Sequence, residues 1–269
     1  MQNKKKKLPN IYNLLLPKQT KNLSRFGGNK DGGYIVDSTV MKNINHLVSF
    51  GMGDEFTFEQ EFLKVNERNI VEIYDHTVGH WLFIWPIIKC FRRFITFRKN
   101  LNDLANLIKQ YFNFLSFIKN KKTKFSKIKI TDKITASNEK DISGVFSNIK
   151  NSNIGLKIDI EGDEYKILED VNKNHEIISI LIVEFHYVEI KRNEFISIIS
   201  MLSKYFDIVH LHGNNHDKTL SDGFPNVIEI TFLNKKNKVL CETSSKSFPL
   251  KNLDFPNNPY LPDIEFQFE

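Results

Sequence analysis

Apolar residues in this chain gather in short, nearly unbroken runs separated by stretches with helical spacing. Residues 44–50, 70–74, 154–160, 177–185, 208–211 and 227–233 have the length and β-branched content of buried strands. Between them, residues 57–65 place Phe58, Phe62 and Val65 on one helical face, with Thr57 and Gln60 as a capping pair. Residues 141–150, 164–171 and 194–205 read as further helices, and 128–131 as a short strand. Strands apolar on both faces that alternate with helices predict an α/β fold, a mainly parallel sheet with helices on either side.

Four segments stand outside the alternation. Residues 1–22 read as an N-terminal arm in which Pro9 and Pro17 bracket a short docking helix at 11–16. Residues 25–36 carry hairpin chemistry, Asp31-Gly32-Gly33 followed by Tyr34-Ile35-Val36. Residues 80–126 are aromatic and helical, and longer than the dozen or so residues a crossover needs. They predict either an insertion that caps the site or forms an interface, or two amphipathic helices packed on the sheet. Residues 248–269 hold four prolines and read as an extended tail folded back on a single domain spanning 1–269.

Composition narrows the partners. The net charge of +6 is split between a run at Lys4–Lys7 and a loop holding Lys119, Lys121, Lys122, Lys124, Lys127 and Lys129. That is no basic stripe, which argues against a nucleic-acid partner. The sharper reading of these lysines is a docking patch for anionic lipid or a nucleotide-linked acceptor. The two cysteines, Cys90 and Cys241, form no CxxC pair, and no apolar leader follows the first lysines, so a reducing cytoplasm is expected. Residues 81–97 are strongly apolar but interrupted by Lys89, Arg92 and Arg93, so they fall short of a membrane span; membrane association is not expected, although a surface-lying helix is possible here. A homodimer is compatible with all of this.

The candidate chemistry sits at predicted strand ends. Gly51-Met52-Gly53 follows the strand at 44–50, and Asp75 ends the next one, the spacing at which an acid accepts hydrogen bonds from ribose hydroxyls. Phe56 stands where a dinucleotide fingerprint needs its third glycine, so a pyrophosphate fits poorly. S-adenosylmethionine has a ribose and no pyrophosphate, and tolerates the shorter motif. Asp159 and Glu184 end two further apolar runs, and His186, His210 and His212 follow at strand spacing. Asp159, Glu184 and His212 are candidate ligands for manganese or magnesium, whose mixed oxygen and nitrogen donors these residues supply. A metal-free hydrogen-bonded network is the alternative. His186 and Glu161 are candidate general bases, and Tyr34 could border the cofactor.

Taken together, Asp31-Gly32-Gly33-Tyr34, Ser49-Phe50-Gly51-Met52-Gly53-Asp54, Asp75-His76-Thr77, Leu156-Lys157-Ile158-Asp159-Ile160-Glu161-Gly162-Asp163-Glu164 and His210-Leu211-His212-Gly213-Asn214-Asn215 resemble the FkbM-type branch of S-adenosylmethionine-dependent methyltransferases. The resemblance implies a Rossmann-like, class I sheet of seven strands with the last antiparallel. It also implies O-methylation, commonly of sugars or polyketide-type hydroxyls, here of a small-molecule or nucleotide-sugar acceptor for a surface polysaccharide. On that pattern Gly51 and Gly53 approach the cofactor, Asp75 binds its ribose, and Asp159 lies beside the transferred methyl. Residues 80–126 depart from the pattern. A metal-dependent hydrolase on the same acids and histidines, or a non-enzymatic scaffold at a membrane surface, are the alternative readings.

Overall fold

The computed structural model describes residues 6–95, 100–147, 149, 153–237, 242–243 and 246–269. Lys4, Lys5, Phe97, positions 148 and 150 of the predicted helix, and Cys241 lie outside them. After the N-terminal arm comes a hairpin of β1 (Leu23–Phe26) and β2 (Tyr34–Asp37). Asp37 then caps α1 (Ser38–Asn43) by accepting from the backbone of Thr39 and Val40. The alternation follows: β3 (His46–Phe50), α2 (Thr57–Val65), β4 (Ile70–Tyr74), α3 (His80–Ile95), α4 (Leu101–Ile118), β5 (Thr123–Ser126), α5 (Ile142–Phe146), β6 (Ile154–Ile158), α6 (Glu164–Lys173), β7 (Ile178–Phe185), α7 (Arg192–Leu202), β8 (Phe206–Gly213) and β9 (Ile228–Asn234). Seven of the strands form one sheet in the order β8-β9-β7-β6-β3-β4-β5. β9 runs antiparallel to both neighbours, and the remaining pairs are parallel. This is the seven-stranded, mainly parallel Rossmann-like sheet with its last strand antiparallel that the resemblance implies.

The strands are apolar on both faces because both faces are covered. Val48, Leu156, Leu181 and Val183 pack beneath α6 and α7, while Leu47, Val71, Ile180 and Ile182 face α1, α2 and α4. Register then sets the functional edge. Phe50 pairs with both Tyr74 and Ile158, so Gly51, Asp75 and Asp159 leave their strands at one level. Val183 lies opposite Ile158, Glu184 opposite Glu229, and Glu229 opposite His212, which extends the same row across the sheet. These are the carboxyl ends of the parallel strands, the edge at which open α/β sheets bind ligands.

Several elements differ from the sequence reading. The sheet's edge strand is Thr123–Ser126, and Lys129–Ile130 pairs instead with Glu139–Lys140 in a separate ribbon. An edge strand pairs on one side only and keeps lysine on its open face, so TKFS lacks the apolar run that marks a central strand. The strand expected at 154–160 stops at Ile158, and Asp159 makes the last bond to the neighbouring strand, its N–H donating to the Phe50 carbonyl at 2.9 Å. The helix expected at 141–150 is the short α5. Segment 80–126 is the crossover from β4 to β5: Phe114 stacks on Phe83 at 4.3 Å and Phe117 on Phe56 at 5.0 Å. The arm joins the core, its short 3-10 helix Asn10–Leu15 setting Tyr12 on Phe224 at 4.0 Å. Lys6–Lys7 pairs with Phe266–Gln267, which also pairs with Ser247–Phe248. Among the described residues no helix is long and apolar enough to cross a membrane.

Candidate active site

The turn after β3 is built around two glycines and one acid. Gly51 has φ +77°, and a Cβ there would stand 1.6 Å from the Asp159 carbonyl oxygen, so no side chain fits. Gly53, at φ +60°, faces open space. The Asp75 carboxylate holds the turn: Oδ2 accepts from the N–H groups of Met52 (2.8 Å) and Gly53 (3.1 Å). Oδ1 accepts from the Thr77 N–H (2.8 Å), the Thr77 hydroxyl (2.6 Å) and the Val78 N–H (3.2 Å). Burial pushes this carboxyl up, but the Thr77 hydroxyl and the backbone donors of Met52, Gly53 and Thr77 hold it below its usual range. The resemblance implies a ribose partner for Asp75; in the structure its carboxylate also accepts from five donors of the protein's own turns.

A buried lysine stands behind Asp159. Lys157 is 2% exposed, and its Nζ donates to the Gly51 carbonyl at 2.7 Å. It lies 3.7 Å from Asp159 Oδ2 and 3.8 Å from Glu59 Oε1, while the Ser49 hydroxyl donates to Glu59 at 2.7 Å. Burial lowers the Lys157 pKa, but Glu59, Asp159, Glu184 and Asp31 outweigh it, and the amine stays cationic. The Tyr34 hydroxyl donates to Asp159 Oδ2 at 3.4 Å, and Lys157 lies 5.3 Å from the Tyr34 ring centroid. Desolvation raises Asp159; Lys157 and His186 pull it back, Glu161 and Asp31 push it further, and the balance is upward.

Beside Asp159 the row turns acidic. Ligand atoms of Asp159, Glu184 and His186 lie within 4.8 Å of one another, as do those of Asp31, Glu184 and Glu229. Burial, then Asp159, Glu229 and Asp31, drive Glu184 well above its usual value, although Asn214 donates to it at 2.7 Å. Folding therefore shifts this carboxyl toward its protonated form. His186 sits between three glutamates: Nδ1 is 3.5 Å from Glu164, and Nε2 is 3.4 Å from Glu161 and 3.8 Å from Glu184. Glu164 also fixes the loop, accepting from the backbone N–H groups of His186 and Gly162, each at 2.7 Å. Burial lowers the His186 pKa, but Glu164, Asp159 and Glu161 overrule it and hold it above the usual imidazole value. Glu161 and Tyr187, the residues that flank this constellation, both have φ +56°, a left-handed backbone that costs non-glycine residues energy and recurs at functional sites.

The structure brings His186, and not His212, to Asp159 and Glu184. His212 lies farther along the row, Nδ1 3.3 Å from Glu229 and Nε2 3.1 Å from Asp263 of the tail. His210 likewise faces a tail acid, Asp254, at 2.9 Å. Asn257 of the tail donates to Asp31 at 3.1 Å and to Glu229 at 2.6 Å.

A cavity of about 240 Å³ opens at this edge. Gly51, Gly53, Tyr34, Asp75, Asp159 and Glu161 all line it, with Tyr74, Ile128 and Ile130 as an apolar wall. Asp31 and Lys157 line it too and carry chemistry that the sequence reading missed. Asp31 read as turn chemistry, and Lys157 was given no role of its own. The signal for Lys157 was its place, two residues before Asp159 and on the same side of the strand. Among the described residues, none of α3 or α4 lines the cavity.

No known protein family and no curated protein matches the chain. Solved structures offer distant likenesses. A fibrillarin/Nop5p complex aligns with 81% of this chain and 99% of its own at 11% identity and a TM-score of 0.37. The fibrillarin pre-rRNA processing protein of Methanococcus jannaschii aligns with 72% and 68% at 11% identity and a TM-score of 0.37. A precorrin-6y C5,15-methyltransferase from Geobacter metallireducens aligns with 73% and 87% at 9% identity and a TM-score of 0.36. Likenesses at this level carry no weight on activity, which is read from the site's own atoms.

Proposed function

We propose that the protein is an S-adenosylmethionine-dependent O-methyltransferase acting on a sugar hydroxyl, with a nucleotide-linked sugar as the acceptor that the family resemblance favours. The observation that carries the reading is the register that sets Gly51, Asp75 and Asp159 at one level around a single acid-ringed cavity. The residues fit the cofactor. Bare backbone at Gly53 leaves room for close approach, Tyr74, Ile128 and Ile130 offer a wall for a flat base, and Asp31, Asp159 and Glu161 suit a cation. When bound, the cofactor supplies an activated methyl group that leaves sulfur as a neutral thioether.

The chain's own groups do the rest. Asp75 shapes the glycine turn. Lys157 and Tyr34 fix the Asp159 carboxylate, so the acceptor meets a rigid partner and positioning supplies much of the acceleration. His186, oriented by Glu164, takes the hydroxyl proton at Nε2, and Glu161 fronts that nitrogen. As an alternative to that base, Asp159, Glu184 and His186 present the donor types that a magnesium or manganese ion takes, and an ion there would engage the imidazole and acidify the acceptor hydroxyl directly. One set of assays tests the scheme. The wild type binds S-adenosylhomocysteine in calorimetry, and candidate sugars gain one methyl by mass. Asp159→Asn stays folded and loses turnover by ~100-fold or more. A wild type silent toward S-adenosylhomocysteine overturns the proposal. Full turnover after chelation removes the ion from it and leaves His186 as the base.

A further inference from the structure

α2 buries an acid along with its apolar face. Phe58 and Phe62 turn into the core, and Glu59 goes in with them, 0% exposed. A carboxylate removed from water is costly unless it is paired. Glu59 Oε1 accepts from the Ser49 hydroxyl at 2.7 Å and lies 3.8 Å from Lys157 Nζ. Its Oε2 has no hydrogen-bond partner among the described residues. Ser49 and Lys157 are register partners on β3 and β6, so their side chains leave the same face of the sheet, the one α2 covers. The same ammonium lies 3.7 Å from Asp159 Oδ2. Its other close neighbours, the Gly51 carbonyl and the Tyr34 ring, are neutral. Two carboxylates thus share one cation. Lys157 and Asp159 line the cavity, whereas Glu59 stands behind them.

We propose that Glu59 is a positioning residue: by holding Lys157 back from Asp159 it leaves the cavity an excess negative charge, which favours the cationic cofactor over its neutral thioether product. The inference rests on the methylation reading above. With Asp159 as its sole acid, Lys157 would close into a neutral pair and screen that carboxylate from a ligand. Divided between two acids, it screens Asp159 only in part. The surplus charge is felt at Asp159, because the Glu59 side chain is 0% exposed and that of Asp159 27%. S-adenosylmethionine and S-adenosylhomocysteine differ by one methyl and one positive charge. The ratio of their affinities therefore reads the charge of the site. Of the other ionisable groups that act on Asp159, His186, Glu161 and Asp31 all lie outside α2, so a change at position 59 leaves them in place.

Glu59→Gln keeps the side chain's shape and an acceptor for the Ser49 hydroxyl, and removes the charge. Calorimetry on full-length protein gives a dissociation constant for each of the two ligands, with a melting curve to confirm the fold. In the variant the affinity ratio should move about 10-fold against S-adenosylmethionine, while S-adenosylhomocysteine changes by less than about 3-fold. A loss shared equally by both ligands marks a merely structural role and overturns the proposal, as does an unchanged ratio. The wild type supplies a test that no folding failure can remove. It should bind S-adenosylmethionine more tightly than S-adenosylhomocysteine, and an equal or reversed preference overturns the proposal. A wild type that binds neither ligand overturns the methylation reading and this inference with it; one that binds both, with the ratio unmoved in the variant, overturns this inference alone.

Discussion

His186 holds a proton more firmly than an ordinary imidazole because Glu164, Asp159 and Glu161 outweigh the cost of its burial. A base in that state works only above its raised pKa, so the acidic limb of the rate–pH profile should lie higher than a free imidazole would set it. Glu161→Gln removes one stabilising carboxylate. It should move that limb to lower pH with the fold unchanged, measured as kcat/KM against pH. An unshifted limb would take His186 out of the base role. Glu161 and His186 were legible in the sequence as strand-end residues. Lys157 was not, because an amine inside an apolar strand gains meaning only when Glu59 of the following helix and Asp159 close around it. The assignment of His212 beside Asp159 failed for a related reason. Spacing along a strand shows which way a side chain points, and not how many strands separate it from a partner.

The turn after β3 shows what one acid does for a whole element. Five donors from two successive loops converge on the Asp75 carboxylate, so the glycine turn and the 75–78 turn move as one body. Asp75→Asn replaces one acceptor oxygen with an amide NH2, a donor that opposes backbone N–H groups. A hydrogen bond to a charged group is worth ~1.5–3 kcal/mol, so S-adenosylhomocysteine should bind roughly 10- to 100-fold more weakly by calorimetry, with the global fold kept. An unchanged affinity would show that the turn is ordered without it. Central elements such as β3, β6 and β7 were legible because burial on two faces demands an unbroken apolar run. β5 was not, since an edge strand escapes that demand, and the apolar pair at Ile128 and Ile130 drew attention away from it.

Across the molecule, the row of charges ties stability to pH. The His212 pKa is pushed up to about 10: burial lowers it, but Asp263 and Glu229 on either side of the ring win. A group whose pKa is raised on folding stabilises fully below its unfolded value, here 6.5, and loses that contribution as pH climbs toward about 10. Glu184, also raised, acts in the same direction, since folding favours its protonated form. Thermal melting temperatures should therefore fall between neutral and alkaline pH, and His212→Gln should flatten that slope while lowering the neutral value. An equal slope in the variant would place the alkaline lability elsewhere. A mainly parallel sheet and the location of the rim could be read from the chain, but the strand order and the tail's part in the rim could not; Asp254, Asn257 and Asp263 sit in a proline-rich stretch with no period to betray their targets.

That tail has a consequence for the order of events during synthesis. Asn257 reaches Asp31, and Asp263 reaches His212, so the rim takes groups from a stretch translated after every strand of the sheet. While residues 254–263 are still inside the ribosome, the nascent chain can pair the seven strands of its main sheet, yet its core lacks Ile264, Phe266 and Phe268, and Glu229 and Asp31 lack the amide that bridges them. A polypeptide stalled before that point would have its strands but an unfinished core and an unfinished acidic rim.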